Sequence, residues 1–428
     1  MSKKYFLHSL GCKVNSYETA ALGIDFQKHQ WKSVERVEEA DIVVLNTCSV
    51  TGRADQKSRQ HISSFRKRNP NAILVVMGCY SQKHAKESVA LGANIVVGTA
   101  GRSKIVDYIG QFEKEGKAIA DVKADSRKEK YEELGSNAFC ENSRAFLKVQ
   151  DGCDNFCSYC YIPFLRGNSR SREPRAVLEE AKALVEAGYK EIVLTGIETG
   201  SYGRDLGDGS YRLPDLMEGI CTKIPELPRL RISSIEESEI DDWFLDVLKR
   251  YPVIVDHLHI PLQSGSASVL KRMKRHYGPE EFASKIGRIR QIRPEIAITT
   301  DVIAGFPGES DEEWKETMDF CSSIGFAEIH VFPFSMRPGT FAATLKDTDP
   351  KVKKARVRDL LELSKGLRLS YEKRFWGRQV EILIENTDEE NGFAYGHTPN
   401  YLLCRVPLEH HQHCDLVSII YKSEISSD

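Results

Sequence analysis

No stretch of the 428 residues approaches the ~20 apolar residues of a membrane-spanning helix, which excludes a helical membrane protein. Excess charge is lacking too. Sixty Lys and Arg against 62 Asp and Glu leave a net charge of -2, so no global field attracts nucleic acid and any RNA contact must rest on local patches. Simple repeats and long low-complexity tracts are missing, which excludes solenoids and a largely disordered chain. The amino-terminal stretch MSKKYFLHSLGCKVN has only a short apolar run, broken by His8 and leading into Gly11 and Cys12 instead of a cleavage site, so the chain is expected in the cytoplasm. There, eleven cysteines, an odd number, read as metal ligands or buried thiols and not as disulfides.

At ~150 residues per domain the length suggests about three domains. From residue 4 to about 110, the apolar runs Tyr5 to Leu10, Ile42 to Asn46, Ile73 to Met77 and Asn94 to Val97 alternate with helical stretches, the rhythm of a parallel α/β domain of flavodoxin-like form. The charged segment Glu113 to Glu133 reads as a linker or exposed excursion. Six further β/α units follow, with strands predicted at Phe146 to Gln150, Glu191 to Thr195, Leu230 to Ser233, His257 to Ile260, Ala297 to Ile303 and Glu328 to Phe332. They imply a partial (β/α)6 barrel, with chemistry at the carboxyl ends of its strands. After the basic stretch Lys351 to Arg374, short strands separated by Asn391-Gly392 and Pro399-Asn400 predict a small antiparallel β-barrel of roughly OB type. The expected domains are 1–138, 139–372 and 373–428.

Cys153, Cys157 and Cys160 form a CxxxCxxC loop directly after the first barrel strand. Three thiolates can ligate three irons of a 4Fe-4S cubane and leave the fourth open. Zinc is the alternative, but no second CxxC or histidine pair follows at short range. Cys12, Cys48 and Cys79 each lie just beyond a predicted parallel strand, and in an open α/β sheet such loops converge on one edge. A second three-thiolate cluster is the natural product, with coincidental loop thiols as the alternative.

The central loop resembles the radical-SAM signature CxxxCxΦC, with Tyr159 as the aromatic residue. That resemblance implies S-adenosylmethionine at the open iron and a 5'-deoxyadenosyl radical from its reductive cleavage. It places Gly196, Ile197 and Glu198 at the methionine amino group, Ser233, Ser234 and Glu236 at the ribose, and Ile303 and Gly305 on the adenine side. For the glycines a plain βα turn, and for the serines a helix cap, are the alternatives.

Over nearly its whole length the chain resembles the methylthiotransferases. The motifs are LGCKVNSYE (Leu10 to Glu18), NTCSVT (Asn46 to Thr51), MGCY (Met77 to Tyr80), DGCDNFCSYCYIPFLRG (Asp151 to Gly167), LTGIETGSYG (Leu194 to Gly203), HIPLQSGS (His259 to Ser266) and DVIAGFPGE (Asp301 to Glu309). The family likeness makes the small barrel a TRAM domain. It implies two 4Fe-4S clusters and S-adenosylmethionine as both radical source and methyl donor, with an electron donor and a sulfur source as further partners. LGCKVNxYE and NTCxVTxxADxKSRQ resemble the branch acting on N6-threonylcarbamoyladenosine 37 in the tRNA anticodon loop. The branches acting on N6-isopentenyladenosine 37 and on a ribosomal-protein aspartate are the alternatives, and an iron-sulfur RNA-binding or sensing protein is the non-enzymatic one.

Four basic tracts are candidates for RNA phosphates: Lys57 to Arg68, Arg166 to Arg175, Lys271 to Arg275 and Lys351 to Arg374, each with a solvated helix face as its plainer explanation. The small barrel is acidic: Arg378, Arg405 and Lys422 stand against a larger set that includes Glu381, Glu385 and Asp388. It would meet RNA through one face, with Tyr395, His397, Asn400 and Tyr401 stacking and hydrogen bonding, or leave the charge to the preceding tract. His410, His411, His413 and Cys414, adjacent on one loop, are not expected to form a metal site, and Cys140, Cys221, Cys321 and Cys404 read as structural thiols.

Overall fold

Every strand of the first sheet is parallel to its neighbours, so both of its faces need helices and its central strands read as largely apolar runs. In the computed structural model, which describes residues 2–135, 143–408 and 411–422, this sheet comprises β1 (Lys4–Ser9), β2 (Lys32–Ser33), β3 (Ile42–Thr47), β4 (Ile73–Gly78), β5 (Ile95–Val97) and β6 (Ile119–Asp121) in the order β2-β1-β3-β4-β5-β6. Alternate residues face opposite layers: Val43, Leu45 and Val76 pack with Phe65, whereas Val44, Val75 and Met77 pack with Phe26 and Ile109. Helices α1 (Lys13–Lys28), α2 (Gly52–Arg68) and α3 (Cys79–Lys83) start at the carboxyl edge of this sheet.

The segment expected as a linker, Glu113 to Glu133, is instead partly built into the fold. β6 lies inside it and pairs with β5. Tyr131 then donates a hydrogen bond to the Lys148 carbonyl at 2.8 Å, Glu132 reaches Arg102 at 3.4 Å and Glu133 pairs with Arg172. Its charges are ties to specific cations, which composition alone does not distinguish from solvated ones.

The second unit is an open arc of six parallel strands: β7 (Arg144–Lys148), then, after the small β8 (Gln150–Asp151) and β9 (Arg170–Ser171) pair, β10 (Glu191–Thr195), β11 (Arg229–Ile232), β12 (His257–His259), β13 (Ala297–Ala304) and β14 (Glu328–Pro333). A parallel bridge from Leu230 to Ile254 carries the arc between its two three-stranded halves. The long helix Pro350–Lys373 leads to an antiparallel sheet curled as a half-barrel, β15 (Gln379–Asp388), β16 (Phe393–His397), β17 (Leu403–Pro407) and β18 (Leu416–Ile420), ordered β17-β16-β15-β18. The parallel α/β unit, the six-stranded arc and the small antiparallel sheet agree with the expected fold class.

This half-barrel does not hold His397, Asn400 and Tyr401 ready for RNA. They dock it against the amino ends of the barrel strands. The Tyr401 ring is stacked between His257 at 4.8 Å and His397 at 4.7 Å, with the Arg231 guanidinium 4.8 Å from its centre and Arg144 donating to its hydroxyl at 2.9 Å. Asn400 donates to the Tyr371 hydroxyl at 2.9 Å. Tyr401 adopts φ +69°, a conformation that costs a side-chain-bearing residue of order 1–3 kcal/mol and persists only when the surroundings fix it. His413, from the histidine-rich loop, meets Ser143 at 2.8 Å; His410 and Cys140 lie outside the described residues.

Replacing Tyr401 with Ala is expected to lower unfolding stability by about 2–4 kcal/mol, from lost burial, stacking and cation-π contact together. Urea titration measures it, and amide exchange in β15 to β18 is expected to rise with it. An unchanged midpoint with unchanged exchange would reject the clamp.

Candidate active site

The three amino-terminal cysteines follow strands that end side by side. β1, β3 and β4 are neighbours in register, so Cys12, Cys48 and Cys79 leave the sheet at one edge. Gly11, at φ +99°, makes the approach possible: a Cβ there would stand 2.8 Å from both Cβ and Sγ of Cys48. Cys12 is exposed, whereas Cys48 and Cys79 are buried. Burial pushes the Cys48 thiol up to about 12, with Cys79 and Cys12 adding to the rise, and burial likewise raises Cys79 against the pull of Arg166.

The central cysteines sit on a tightly folded loop. Gly152, at φ +74°, lies so close to the Asn168 carbonyl oxygen that a Cβ would come within 1.9 Å of it, so the start of the loop is pressed against its return. The Asn155 amide donates to Cys153 Sγ at 3.5 Å, and the Arg275 guanidinium to Cys157 Sγ at 3.4 Å. Burial raises the Cys153 thiol, with Glu198 beside it and then Cys160 and Cys157 contributing; Cys160 is pushed up to about 12 by burial and by Cys157. The Cys153 thiol donates to Glu198 Oε2 at 3.7 Å, and burial next to Glu236 and Glu239 lifts the Glu198 carboxyl to about 7.

One cavity of about 530 Å³ is bordered by the amino-terminal triplet and by Glu198, which accepts from Cys153; Cys153, Cys157 and Cys160 are not among its lining residues. Its lining includes Cys12, Cys48 and Cys79 together with Gly196, Ile197, Glu198, Ser233, Ser234 and Glu236. Sequence reasoning had placed those residues in two separate sites; the structure opens both onto one space. Tyr159 and Ile303 do not line it: they pack into an apolar cluster with Val269, Met273, Phe306 and Phe334, Tyr159 remaining close to Cys157 and Cys160. Gly305 is also away from the cavity, where it admits the Lys353 side chain of the long helix, whose Cγ would be 2.3 Å from a Cβ.

Behind the cavity lies a cluster of buried charges that joins the two halves. Glu18 of α1 binds Arg102 at 2.9 Å, Lys148 at 2.8 Å and Arg166 at 2.9 Å. Asp151 binds Lys148 at 2.6 Å, Arg166 at 3.0 Å and Arg170 at 3.4 Å. Arg166 also donates to Asn15 Oδ1 at 2.7 Å, and Asn15 in turn donates to the carbonyls of Leu10 and Thr47, beside Cys12 and Cys48. The tract Arg166 to Arg175 is therefore no RNA surface: Arg166, Arg170 and Arg172 are buried in ion pairs, and Arg175 alone among its arginines is exposed.

Residues 147–321 match the model described as Radical SAM superfamily, and residues 4–98 match the one described as Uncharacterized protein family UPF0004. The chain is 46% identical to the threonylcarbamoyladenosine tRNA methylthiotransferase MtaB of Bacillus subtilis, over 92% of this chain and 88% of that one. It is 35% identical to the protein of the same name from Thermotoga maritima (89% and 86% covered) and 32% identical to the tRNA-2-methylthio-N(6)-dimethylallyladenosine synthase of Bacillus velezensis (91% and 77%). The chain belongs to the radical-SAM methylthiotransferase family. A likeness to the radical S-adenosylmethionine methyltransferase TsrM of Kitasatospora setae, with a TM-score of 0.58 at 14% identity over 80% of this chain and 74% of that one, shows the shared fold.

As a methylthiotransferase the enzyme uses S-adenosylmethionine and 4Fe-4S clusters. The thiols fit such groups: all six are free, and burial disfavours ionisation of Cys48, Cys79, Cys153 and Cys160 until a cationic core is present. Among the described residues no three His, Cys, Asp or Glu side chains surround a single ion, and the ligands of a cubane stand farther apart because each takes its own iron. The methylthiotransferase motifs also contain cavity residues to which sequence reasoning gave no role: Lys13, Asn15, His259 and Asp301. His259 is held from both sides, by Thr299 at 3.0 Å and Asp301 at 3.2 Å.

Changing Glu18 to Gln leaves Lys148, Arg102 and Arg166 short of a buried counter-charge and is expected to cost about 3–5 kcal/mol, read by denaturant unfolding. Burial alone would raise the Glu18 carboxyl, but Arg102, Arg166 and Lys148 outweigh it and hold it near 2; Asp151 is held far down by Lys148, Arg166 and Arg170 in the same way. Both pKa values are lower folded than unfolded, so their contribution is complete above about pH 5 and fades as pH falls from the unfolded value near 4 toward 2. In E18Q the acid-side loss is expected to be shallower than in the wild type.

Proposed function

We propose that the enzyme converts N6-threonylcarbamoyladenosine 37 of tRNA to its 2-methylthio derivative, with one cluster held by Cys153, Cys157 and Cys160 and a second by Cys12, Cys48 and Cys79. The observation that carries this reading is the single cavity bordered by one cysteine triplet and by the residues around Glu198 that touch the other. The substrate follows the relatives named for it at 46% and 35% identity. The division into 1–138, 139–372 and 373–428 belongs to the same reading, the last segment being the TRAM domain.

When bound, the cluster at Cys153, Cys157 and Cys160 supplies the electron that cleaves S-adenosylmethionine to a radical, and the second supplies an iron at which sulfur is presented. The chain's own residues position and shelter. Asn155 and Arg275 donate to the sulfurs of Cys153 and Cys157 and so orient them. Glu198 is placed to accept from an amino group of the cofactor, and Ser233 and Ser234 from its hydroxyls. A base in the cavity would lie between its two sides, near both reacting groups, which is an effective-concentration effect.

Exposed aromatics beside the radical loop support a nucleic-acid substrate. Phe156 and Phe164 meet edge to face at 5.7 Å, both in the segment that carries the cysteines, and Phe341 lies under Lys274 at 5.4 Å. Their exposures of 40%, 49% and 55% are costly in water unless something stacks on them, and unpaired loop bases do so. Lys83 and Lys274 bring positive charge to this rim.

Cys153→Ala is expected to abolish 5'-deoxyadenosine formation in reconstituted enzyme, whereas Cys48→Ala is expected to retain it and lose methylthiolation; liquid chromatography of both products separates the roles. Nucleoside mass spectrometry of tRNA from cells lacking the gene is expected to show loss of 2-methylthio-N6-threonylcarbamoyladenosine. Loss of the isopentenyl analogue instead, or a mass increase only on a ribosomal protein, would assign the enzyme to another branch.

A further inference from the structure

We infer that Lys13 is the docking cation for a carboxylate carried by the substituent on N6 of the target adenine, an inference that rests on the threonylcarbamoyladenosine reading above. Lys13 is the first residue of α1 and lines the shared cavity directly after Cys12. Among the described residues its ammonium has no hydrogen-bond or ion-pair partner, although the other charged groups around the cavity are engaged. Arg166 is held by Glu18 and Asp151, Glu236 by Arg275, Asp301 by His259, and Glu198 accepts from Cys153. The cations whose field reaches Lys13 are likewise matched, Arg144 by Glu385 and Arg231 by Glu191; the charge of Glu191 also reaches Lys13, but its carboxylate is taken up by Arg231 and Arg229.

An ammonium in a partly enclosed space, next to other cations and without a carboxylate of its own, is the arrangement that an anionic ligand completes. A threonylcarbamoyl group ends in a carboxylate. An isopentenyl group on the same nitrogen is a hydrocarbon and would leave the ammonium unmatched, so one residue would both favour the first and disfavour the second. Two other anions compete for this explanation: the carboxylate of S-adenosylmethionine, and the thiolate cluster adjoining Cys12. Each predicts a different result when Lys13 is changed.

The test uses reconstituted holoenzyme with S-adenosylmethionine present and measures, by fluorescence anisotropy, the Kd for anticodon stem-loop RNA carrying threonylcarbamoyladenosine or the same nucleoside with its carboxylate converted to a carboxamide. Wild type is expected to bind the carboxylate form about 10- to 100-fold more tightly, the range for a charge-assisted contact. Lys13→Met is expected to bind both forms as wild type binds the amide, and Lys13→Gln, closer in polarity, to show the same loss of preference. Lys13→Arg is expected to recover part of it. Iron content, cluster absorption and the Kd for S-adenosylmethionine are expected to stay within twofold of wild type in the Met and Gln variants. Retention of the full preference by both variants overturns the assignment. So does loss of S-adenosylmethionine binding or of iron with the preference intact. If wild-type enzyme methylthiolates isopentenyl RNA and not threonylcarbamoyl RNA, it is the substrate reading that falls, a result separable from any behaviour of the variants.

Discussion

The structure turns on a cluster of buried charges between α1 and the first barrel loop. Glu18 and Asp151 share Lys148, Arg102 and Arg166 in a space that water does not reach. In such a medium each ion is costly to bury, and the cost is offset only when every partner is in place at hydrogen-bond distance. The two halves can therefore meet in one relative position. A slip of a few ångströms would leave charges unmatched, whereas an apolar interface could re-pack. Cations outnumber carboxylates within this group even with Glu132 included, and Arg166 turns the surplus toward Cys79. The contact that locks the halves together thus also pulls against the burial that raises the Cys79 thiol.

From that fixed position follows the shared cavity. Cys12 caps the start of α1, six residues before Glu18, and Asp151 lies two residues before Cys153, so the charge cluster holds the start of both cysteine sets at short range. Gly11 and Gly152 let the chain turn there at φ values that a side chain would resist. The far end of the barrel is secured separately, by Tyr401 between His257 and His397. Two independent devices at opposite ends keep the barrel from opening, one ionic and one aromatic.

Much of this was legible in the sequence, and the parts that were not share a cause. Long apolar strands such as β3, β4 and β13 announce themselves by composition, and the six cysteines by spacing. β2 and β6 are two and three residues long and carry Lys, Ser and Asp, so no pattern distinguishes them from loop. The linker segment, the Arg166 tract and the Tyr401 face were all misjudged in one direction. Each is polar or basic, and each is spent on an internal partner: Arg102 and Arg172 for the linker glutamates, Glu18 and Asp151 for Arg166, His257 for Tyr401. A sequence displays charge but not its counterpart, so a polar tract reads as surface until the residue opposite is known. Tyr159 and Ile303 pack in an apolar cluster and Gly305 against Lys353, neighbours that a motif carried over from sequence does not specify.

The cavity is polar in an ordered way. Glu198 stands beside Cys153 and Glu236 beside Arg275 near Cys157, whereas Lys13 adjoins Cys12. A molecule with an amino group is favoured toward the Glu198 side and one with a carboxylate toward the Lys13 side, since each then exchanges a costly lone charge for a pair. Two ligands of opposite local charge can thereby be sorted before any shape-specific contact forms. The sorting also has a geometric consequence. Lys13 and Glu18 lie on the same helix, and Glu18 is fixed by the interface, so the cation that would meet the substrate is registered against the radical loop through the charges that assemble the fold. Specificity and architecture then depend on the position of one helix.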